Sequence, residues 1–141
     1  MTGSVSIIIM NHGKFGEELI ASAELIIGEI EDIQAVSLMA GMTIEDFYGK
    51  AEQAVIASKG NVLVLTDLFG GTPCNVAMML RQKYDLKVLC GVNLPMLIEA
   101  VSLRDTVSDM DELKASVLET AAAGVLCPPD SSEPEDDWAD A

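Results

Sequence analysis

The sequence predicts an α/β fold: a single domain in which helices flank a mostly parallel, doubly wound sheet of four to five strands. The chain has 141 residues, which suffices for one hydrophobic core but not for two. Half of the residues are apolar, which excludes a wholly disordered chain. Short runs of strand type alternate with segments of helical periodicity, and this order is typical of a parallel sheet covered on both faces.

The strand predictions rest on short apolar runs rich in branched side chains. The third run reads NVLVLT, which is typical of a central strand buried on both faces. The last run has only three residues before a pair of prolines. The predicted strands are Val5 to Met10, Ile33 to Leu38, Asn61 to Thr66, Leu86 to Cys90 and, as a short fifth, Val125 to Cys127.

The helix predictions rest on apolar spacing and on start and stop residues. Gly28 ends the first helix, and Lys59-Gly60 ends the second. Thr72 is predicted to cap the third helix, with Pro73 at its first position. The predicted helices are Phe15 to Ile27, Ile44 to Ser58, Pro73 to Gln82, Pro95 to Leu103 and Met110 to Ala123.

Acidic residues are in large excess and are concentrated at the carboxyl end. The chain has 23 acidic and 8 basic side chains and a net charge of −15, so neither nucleic acid nor an anionic membrane surface is an expected partner. The last twelve residues, DSSEPEDDWADA, hold six acids and no base. We therefore divide the chain into a domain of residues 1–128 and an acidic, disordered tail of residues 129–141.

The cysteines and the amino terminus bear on metal binding and on compartment. Three cysteines at wide spacing and a single histidine cannot complete a Cys/His zinc set, so we expect reduced thiols and no structural metal. The first apolar run is too short for a signal peptide, and no apolar stretch approaches the roughly 20 residues of a membrane helix. A cytoplasmic protein without direct membrane insertion is expected.

Parallel doubly wound sheets place their chemistry beyond the carboxyl ends of the strands. Three predicted loops lie there: Asn11-His12-Gly13 after the first strand, residues 67–73 after the third and residues 91–95 after the fourth. If the first, third and fourth strands are neighbours, these loops converge. The carboxyl edge of the sheet is therefore the predicted functional site.

His12 is the only histidine of the chain, and it directly follows an apolar strand. An imidazole can act near neutral pH as acid, base, ligand or nucleophile. Asp67, at the end of the third strand, could accept the Nδ1 proton of His12 and leave Nε2 as the nucleophilic nitrogen. Two structural alternatives stay open here: a loop histidine without chemistry, and an aspartate that serves only its own turn.

Gly70-Gly71-Thr72-Pro73 is a candidate phosphoryl site. Paired glycines let backbone N–H groups approach an anion, and the following helix turns its positive end toward the loop. The loop is neither a Walker A sequence nor a GxGxxG motif, so nucleotide binding has weak support, and the loop could hold a phosphate carried by the protein itself. The same residues also suit a plain turn and helix cap. Cys74, in the first helical turn, is a weaker alternative nucleophile.

Three segments, in this order, resemble the enzyme IIA domain of the mannose/fructose/sorbose class of the bacterial phosphoenolpyruvate-dependent sugar phosphotransferase system (PTS). VSIIIMNHGKFGEELIASAELIIGE is similar to the family's first strand, phospho-accepting histidine and first helix. VLVLTDLFGGTPCNVA is similar to its aspartate and glycine loop, and GVNLPMLIEA to its fourth strand-to-helix turn. Together the resemblance covers residues 5 to about 126.

The resemblance implies a phosphotransferase component whose His12 accepts a phosphoryl group from the phosphocarrier protein HPr and passes it to enzyme IIB, with membrane components IIC and IID downstream. It implies that Asp67 orients the imidazole and stabilises its charge, and that Gly71 and Thr72 donate to the phosphoryl oxygens. No metal, nucleotide or other cofactor is implied. The family's homodimers exchange a C-terminal strand, which Val125 to Cys127 would supply, and Asn11 stands where relatives more often have Ser or Thr.

Three other interpretations compete with this one. A two-component receiver domain needs acidic residues after the first strand, where this chain has Asn11-His12. A histidine phosphatase has an arginine before its histidine, and Asn11 replaces it here. A regulatory module, in which phosphorylation of His12 signals the state of the PTS to another protein without sugar transport, needs the same site and stays open. Because the chain ends at Ala141, a stand-alone IIA polypeptide is expected.

Overall fold

Four parallel strands form the sheet in the computed structural model, which describes residues 5–130. The strands are β1 (Val5–His12), β2 (Ile33–Leu38), β3 (Asn61–Thr66) and β4 (Leu86–Cys90). Their order across the sheet is β2-β1-β3-β4. The predicted doubly wound α/β fold is therefore confirmed, with four strands in the part of the chain that the structure describes.

The helices alternate with these strands and then continue beyond β4. They are α1 (Phe15–Ile27), α2 (Ile44–Ala57), α3 (Thr72–Arg81), α4 (Leu94–Leu103) and α5 (Met110–Ala123). Among residues 5–130, no helix combines the length and the apolar character needed to span a membrane.

The side chains of β1 show how the sheet is covered on both faces. Ile7 and Ile9 belong to one buried cluster, whereas Ile8 and Met10 belong to a second, and all four are fully buried. This division arises because successive side chains of a strand point to opposite faces. Helices α1, α4 and α5 cover the first face, and α2 and α3 cover the second. Burial of such a side chain contributes roughly 1.5–3 kcal/mol, so both layers depend on β1.

The register of the sheet brings the carboxyl ends of three strands together. Met10 of β1 pairs with Thr66 of β3, and Thr66 pairs with Cys90 of β4. His12 lies two residues beyond Met10, and Asp67 follows Thr66 directly. The first, third and fourth strands are therefore neighbours, as the convergence of their loops requires.

The predicted cap of α3 is wrong by one residue. The N-cap is Gly71, which has an extended backbone. Its carbonyl oxygen accepts the N–H of Asn75 at 2.9 Å and so makes the first hydrogen bond of the helix. Thr72 is consequently the first helical residue and Pro73 the second. Glycine is well tolerated as an N-cap, and the proline N–H that is missing at this position would have no helical acceptor.

The predicted fifth strand, Val125 to Cys127, does not form. The N–H of Val125 donates to the carbonyl of Ala122 at 3.2 Å, which extends the last turn of α5 and occupies a donor that strand pairing would use. Pro128 and Pro129 follow and have no N–H to contribute. Residues 131–141 lie outside the described residues, so the disordered tail and the domain limit at residue 128 stay predictions.

Arg104 fixes the amino end of the sheet, opposite the predicted site. Its guanidinium donates to the main-chain oxygens of Val5 at 3.2 Å, Asp32 at 3.2 Å and Glu31 at 2.6 Å. Asp32 has a left-handed backbone with φ of 52°, and its carbonyl also accepts the N–H of Ile7. The buried arginine therefore stabilises the unusual turn that leads into β2.

Substitution Arg104→Leu is expected to lower the free energy of unfolding by about 3 kcal/mol, because it leaves three carbonyl oxygens without their charged donor. Urea unfolding followed by circular dichroism measures this difference. Lys114→Leu is the matched control, since Lys114 makes only a surface ion pair of 3.8 Å with Asp111 and its loss should change stability by less than about 0.5 kcal/mol. Equal effects of the two substitutions would contradict the role of Arg104.

Candidate functional site

His12 is the last residue of β1 and projects from the carboxyl edge of the sheet. Its side chain is 48% exposed, although the seven residues before it in the strand are buried. Asp67, directly after β3, is 14% exposed at its side chain. The sheet thus places an accessible imidazole beside a mostly buried carboxylate.

One carboxylate oxygen of Asp67 accepts two hydrogen bonds from His12. The main-chain N–H of His12 donates to Oδ2 of Asp67 at 2.9 Å, and Nδ1 of the imidazole lies 2.9 Å from the same oxygen. An ionised carboxylate can only accept, so Nδ1 carries the proton and a neutral ring has its free lone pair on Nε2. Asp67 therefore selects the tautomer whose exposed nitrogen is nucleophilic.

Gly71 lies against the imidazole at the start of α3. A Cβ atom placed on Gly71 would lie 3.0 Å from Cε1 and 3.6 Å from Nε2 of His12. A larger residue would therefore crowd the ring. The N–H groups in the first turn of a helix have no helical acceptors and carry the positive end of its dipole. Nε2 is thus next to a set of backbone donors suited to an anion, and Thr72 follows at the first helical position.

Within residues 5–130, the third predicted loop makes no hydrogen bond with His12, whose partner is Asp67. Asn93 caps α4, where its Oδ1 accepts the N–H of Met96 at 2.9 Å. Its Nδ2 donates to the carbonyl of Ala121 at 3.1 Å and so ties α4 to α5. Asn93 therefore holds helices in place, and the hydrogen-bonded pair of His12 and Asp67 comes from the carboxyl ends of β1 and β3.

Asn11 fixes the turn that carries His12, and the sequence reasoning did not assign it this role. The side chain is fully buried, and its Nδ2 donates to the carbonyl of Gly13 at 2.9 Å and to Oγ of Ser37 at 3.3 Å. Gly13 has a φ of 59°, which favours glycine. The amide of Asn11 thus joins the turn after β1 to β2 beneath the histidine.

Gly16 provides the space that the side chain of Asn11 occupies. A Cβ atom on Gly16 would overlap Oδ1 of Asn11 at 2.2 Å and would lie 3.0 Å from Cβ of Ala35. Gly16 is also the second residue of α1, where helix propensity alone disfavours glycine. That unfavourable glycine was the one signal in the sequence that could have pointed to a close contact here.

Apolar side chains surround the site and are open to solvent. Phe69 is 82% exposed in the loop between Asp67 and α3. Leu68, Phe15 and Met39, in segments next to the site, are also exposed.

Among the described residues, no group of three or more His, Cys, Asp or Glu side chains is arranged to hold a metal ion. Cys74, the weaker alternative nucleophile, is 2% exposed and contacts Cys90.

The sequence matches a known family over most of its length. The family model described as PTS system fructose IIA component matches residues 6–118. The chain belongs to this family. The family expected from the sequence motifs, the enzyme IIA domains of the mannose/fructose/sorbose class, is thereby confirmed.

Individual relatives agree with this assignment. The PTS system fructose-specific EIIA component of Bacillus subtilis (strain 168) is 38% identical over 112 residues, which are 77% of each chain. The PTS system mannose-specific EIIAB component of Escherichia coli (strain K12) is 35% identical over 125 residues, which are 86% of this chain but 39% of that protein. The chain thus spans about two fifths of that longer relative.

Solved structures of the family have the same fold. The mannose/sorbose specific IIA subunit from Enterococcus faecalis superposes with a TM-score of 0.83 at 37% sequence identity, covering 94% of this chain and 99% of that one. The EIIA component from Streptococcus agalactiae gives a TM-score of 0.82 at 38% identity, covering 87% and 96%.

Substitution Gly16→Ala is expected to lower the free energy of unfolding by about 2 kcal/mol, because the new methyl group displaces the buried Asn11 amide. Gly49→Ala is the matched control: Gly49 lies inside α2 with nothing within 4 Å of the added carbon, so the same change should stabilise the protein by roughly 0.5–1 kcal/mol. Denaturant titrations of both variants provide the test. A neutral or stabilising Gly16→Ala would contradict the packing described here.

Proposed function

We propose that this chain is a phosphocarrier of the sugar phosphotransferase system, in which His12 accepts a phosphoryl group from phospho-HPr and passes it to enzyme IIB. The observation that carries the proposal is the pair of hydrogen bonds from His12 to Oδ2 of Asp67. They leave Nε2 as the nucleophilic nitrogen, exposed at the sheet edge and next to Gly71.

In the proposed transfer, the Nε2 lone pair attacks the phosphorus atom of the phosphorylated donor in line with the bond that breaks. The N–P bond to His12 forms as the bond to the donor histidine breaks, and no proton has to leave Nε2. The imidazole ring becomes positively charged. Oδ2 of Asp67, 2.9 Å from Nδ1, stabilises this charge and keeps the ring in its orientation.

The start of α3 holds the transferred group. The backbone at Gly71 and the N–H and hydroxyl of Thr72 donate to the phosphoryl oxygens, and the helix dipole adds a favourable field. These donors are fixed before the reaction because the N-cap carbonyl of Gly71 already accepts the N–H of Asn75. Fixed donors stabilise an incoming negative charge without reorganisation.

The partners must place a phosphorylated histidine directly over His12. The exposed apolar side chains of Leu68 and Phe69 beside the site support docking of HPr and enzyme IIB at this edge. IIC and IID would act downstream in the membrane, and the carrier itself would work in the cytoplasm. No observation among the described residues favours the regulatory alternative over the carrier role.

Substitution His12→Ala is expected to abolish phosphoryl acceptance, because it removes the attacking nitrogen. The purified chain is incubated with phosphoenolpyruvate, enzyme I and HPr, and its intact mass is measured. Wild type should gain the mass of one acid-labile phosphoryl group, and mixtures without HPr should give none. Phosphorylation of His12→Ala at another residue would overturn the assignment of the acceptor.

Substitution Asp67→Asn is expected to slow phosphorylation by roughly 10- to 100-fold, because the amide no longer balances the charge of the ring and no longer selects the Nδ1–H tautomer. Rapid-quench measurements with excess phospho-HPr give the rate. Asp111→Asn serves as a matched control, since Asp111 is 75% exposed in α5 and pairs with lysines on the surface. A rate for Asp67→Asn within twofold of wild type would contradict the role of Asp67.

We also propose that the chain forms a homodimer through its C-terminal segment. Val125 and Leu126 are exposed apolar residues directly after α5. Within the described residues, β4 pairs only with β3, so its outer edge is open to a strand from a second copy. In the dimer, the Val125 N–H would leave Ala122, and the exchanged segment would pair with β4 of the second copy and bury both the apolar side chains and the strand edge.

Light scattering at micromolar concentration should therefore give the mass of a dimer for wild type. The double substitution Val125→Asp and Leu126→Asp should give a monomer of unchanged secondary structure, because it places charges in the proposed contact. A monomeric wild type, or a dimer that the double variant leaves intact, would refute this mode of assembly.

A further inference from the structure

Two cysteines lie in contact beneath the phosphoryl site, and the proposed carrier chemistry does not use them. The Sγ atoms of Cys74 and Cys90 are 3.5 Å apart. Cys74 is the third residue of α3, and Cys90 is the last residue of β4. The topology therefore brings together two thiols that are separated by sixteen positions in the sequence.

Strand alternation explains why the two thiols meet. Val88 packs against the cluster that α2 and α3 cover, whereas Leu89 belongs to the opposite cluster. Cys90 follows in the same alternation and faces α3. Cys74 lies in the first turn of that helix and is buried there, and Cys90 is half-buried. Of these two residues, Cys90 is therefore the more accessible.

We propose that Cys74 and Cys90 form an oxidisable dithiol, which a peroxide converts into a disulfide and which thiol reductants restore. The thiolate of Cys90 attacks a peroxide oxygen, the O–O bond breaks, and Cys90 becomes a sulfenic acid. The sulfur of Cys74 then displaces hydroxide from that sulfenic acid, so the S–S bond forms and water leaves. The two thiols lose two electrons in total, which reduce one peroxide to two waters.

The environment of Cys90 slows its reaction with peroxide but favours the disulfide over further oxidation of the sulfenic acid. Burial raises the pKa of the Cys90 thiol above its ordinary value; Thr66 lowers this pKa by less than burial raises it, and contact with Cys74 raises it. A higher pKa leaves less thiolate to attack peroxide. Once a sulfenic acid forms, however, the second sulfur is already 3.5 Å away, so ring closure competes well with further oxidation.

The disulfide would change the phosphoryl site through the position of α3. A disulfide has an S–S distance of about 2.05 Å, so the two sulfur atoms must approach by about 1.5 Å. In the strand order, β4 lies on the far side of β3 from β1 and His12. Any part of this approach that the backbone of α3 makes draws its first turn, with Thr72 and the N-cap Gly71, away from the imidazole.

The chemical part of the proposal is tested by mass spectrometry on the full chain carrying Cys127→Ser, which removes the exposed third thiol. The folded protein is treated with hydrogen peroxide, quenched, denatured and alkylated. We expect the loss of two hydrogens, no alkylated thiol, and one cross-linked peptide pair that contains residues 74 and 90. Dithiothreitol should return both thiols. Two alkylatable thiols after treatment, or a sulfinic acid on Cys90 without the link, would overturn the proposal.

The variant Cys90→Ser in the same background shows whether the pair is needed. It should form no link. Burial should protect the remaining Cys74 thiol from peroxide, so that this thiol is still alkylated after denaturation. Disappearance of the Cys74 thiol in this variant would contradict the order of the two steps. The comparison before and after reduction uses only the Cys127→Ser chain, in which the exchanged residue is exposed, so it decides the proposal even if Cys90→Ser does not fold.

The functional part rests on the proposed carrier role and has a separate outcome. With phospho-HPr, the oxidised chain should accept the phosphoryl group at least about tenfold more slowly than the reduced chain, since a shift of this size at the donors is costly for transfer. Dithiothreitol should restore the rate. A linked protein with an unchanged rate would refute the coupling. A reduced chain that accepts no phosphoryl group would refute the carrier role, while the mass measurement would still decide the dithiol.

Discussion

The contact on which the site depends is the acceptance of two hydrogen bonds by a single oxygen of Asp67. Oδ2 takes the main-chain N–H and the ring Nδ1–H of His12, both at 2.9 Å. The first bond fixes where the end of β1 lies relative to β3, and the second fixes the ring on that backbone. The same oxygen therefore fixes both the strand position and the orientation of the reactive ring. A change of the sheet register by one residue would break both bonds, since side chains alternate between the faces of a strand.

This arrangement places uncompensated polar atoms in the interior. Among residues 5–130, Oδ1 of Asn11, Oγ1 of Thr66 and Oδ1 of Asp67 are buried without a hydrogen-bond partner, and all three lie at the carboxyl ends of β1 and β3. An unsatisfied buried polar atom costs about 1–3 kcal/mol. The apolar clusters on both faces of β1 offset that cost, and Arg104 holds the opposite end of the sheet by satisfying three carbonyls. These unpaired polar atoms therefore lie at the end of the sheet that carries His12.

The sequence predicted most of the fold because nearly every element is specified locally. The apolar runs that became β1 to β4 and the stop of α1 at Gly28 need only neighbouring residues to be recognised. His12 and Asp67 could be paired because parallel strands bring their carboxyl ends together. What the sequence did not show depends on contacts between distant residues: the overlap of Gly16 with Asn11, the Cys74–Cys90 contact and the carbonyls that Arg104 binds. The fifth strand was predicted wrongly because its local pattern suited a strand, whereas the N–H of Val125 donates to Ala122 in the last turn of α5 and two prolines follow.

The groups around Nε2 also suit a carrier better than a phosphate-binding protein. Oδ2 of Asp67 acts on the ring rather than on the phosphoryl group, and Gly71 and the start of α3 supply backbone donors and a partial positive charge. A full cation in contact with the phosphoryl oxygens would form stronger, charge-assisted bonds and would hold the group more tightly. A carrier has to release the group to its next acceptor as readily as it received it. Backbone donors stabilise the phosphoryl group enough for its acceptance while keeping its release possible. The net charge of −15 acts in the same direction, because it repels free phosphate.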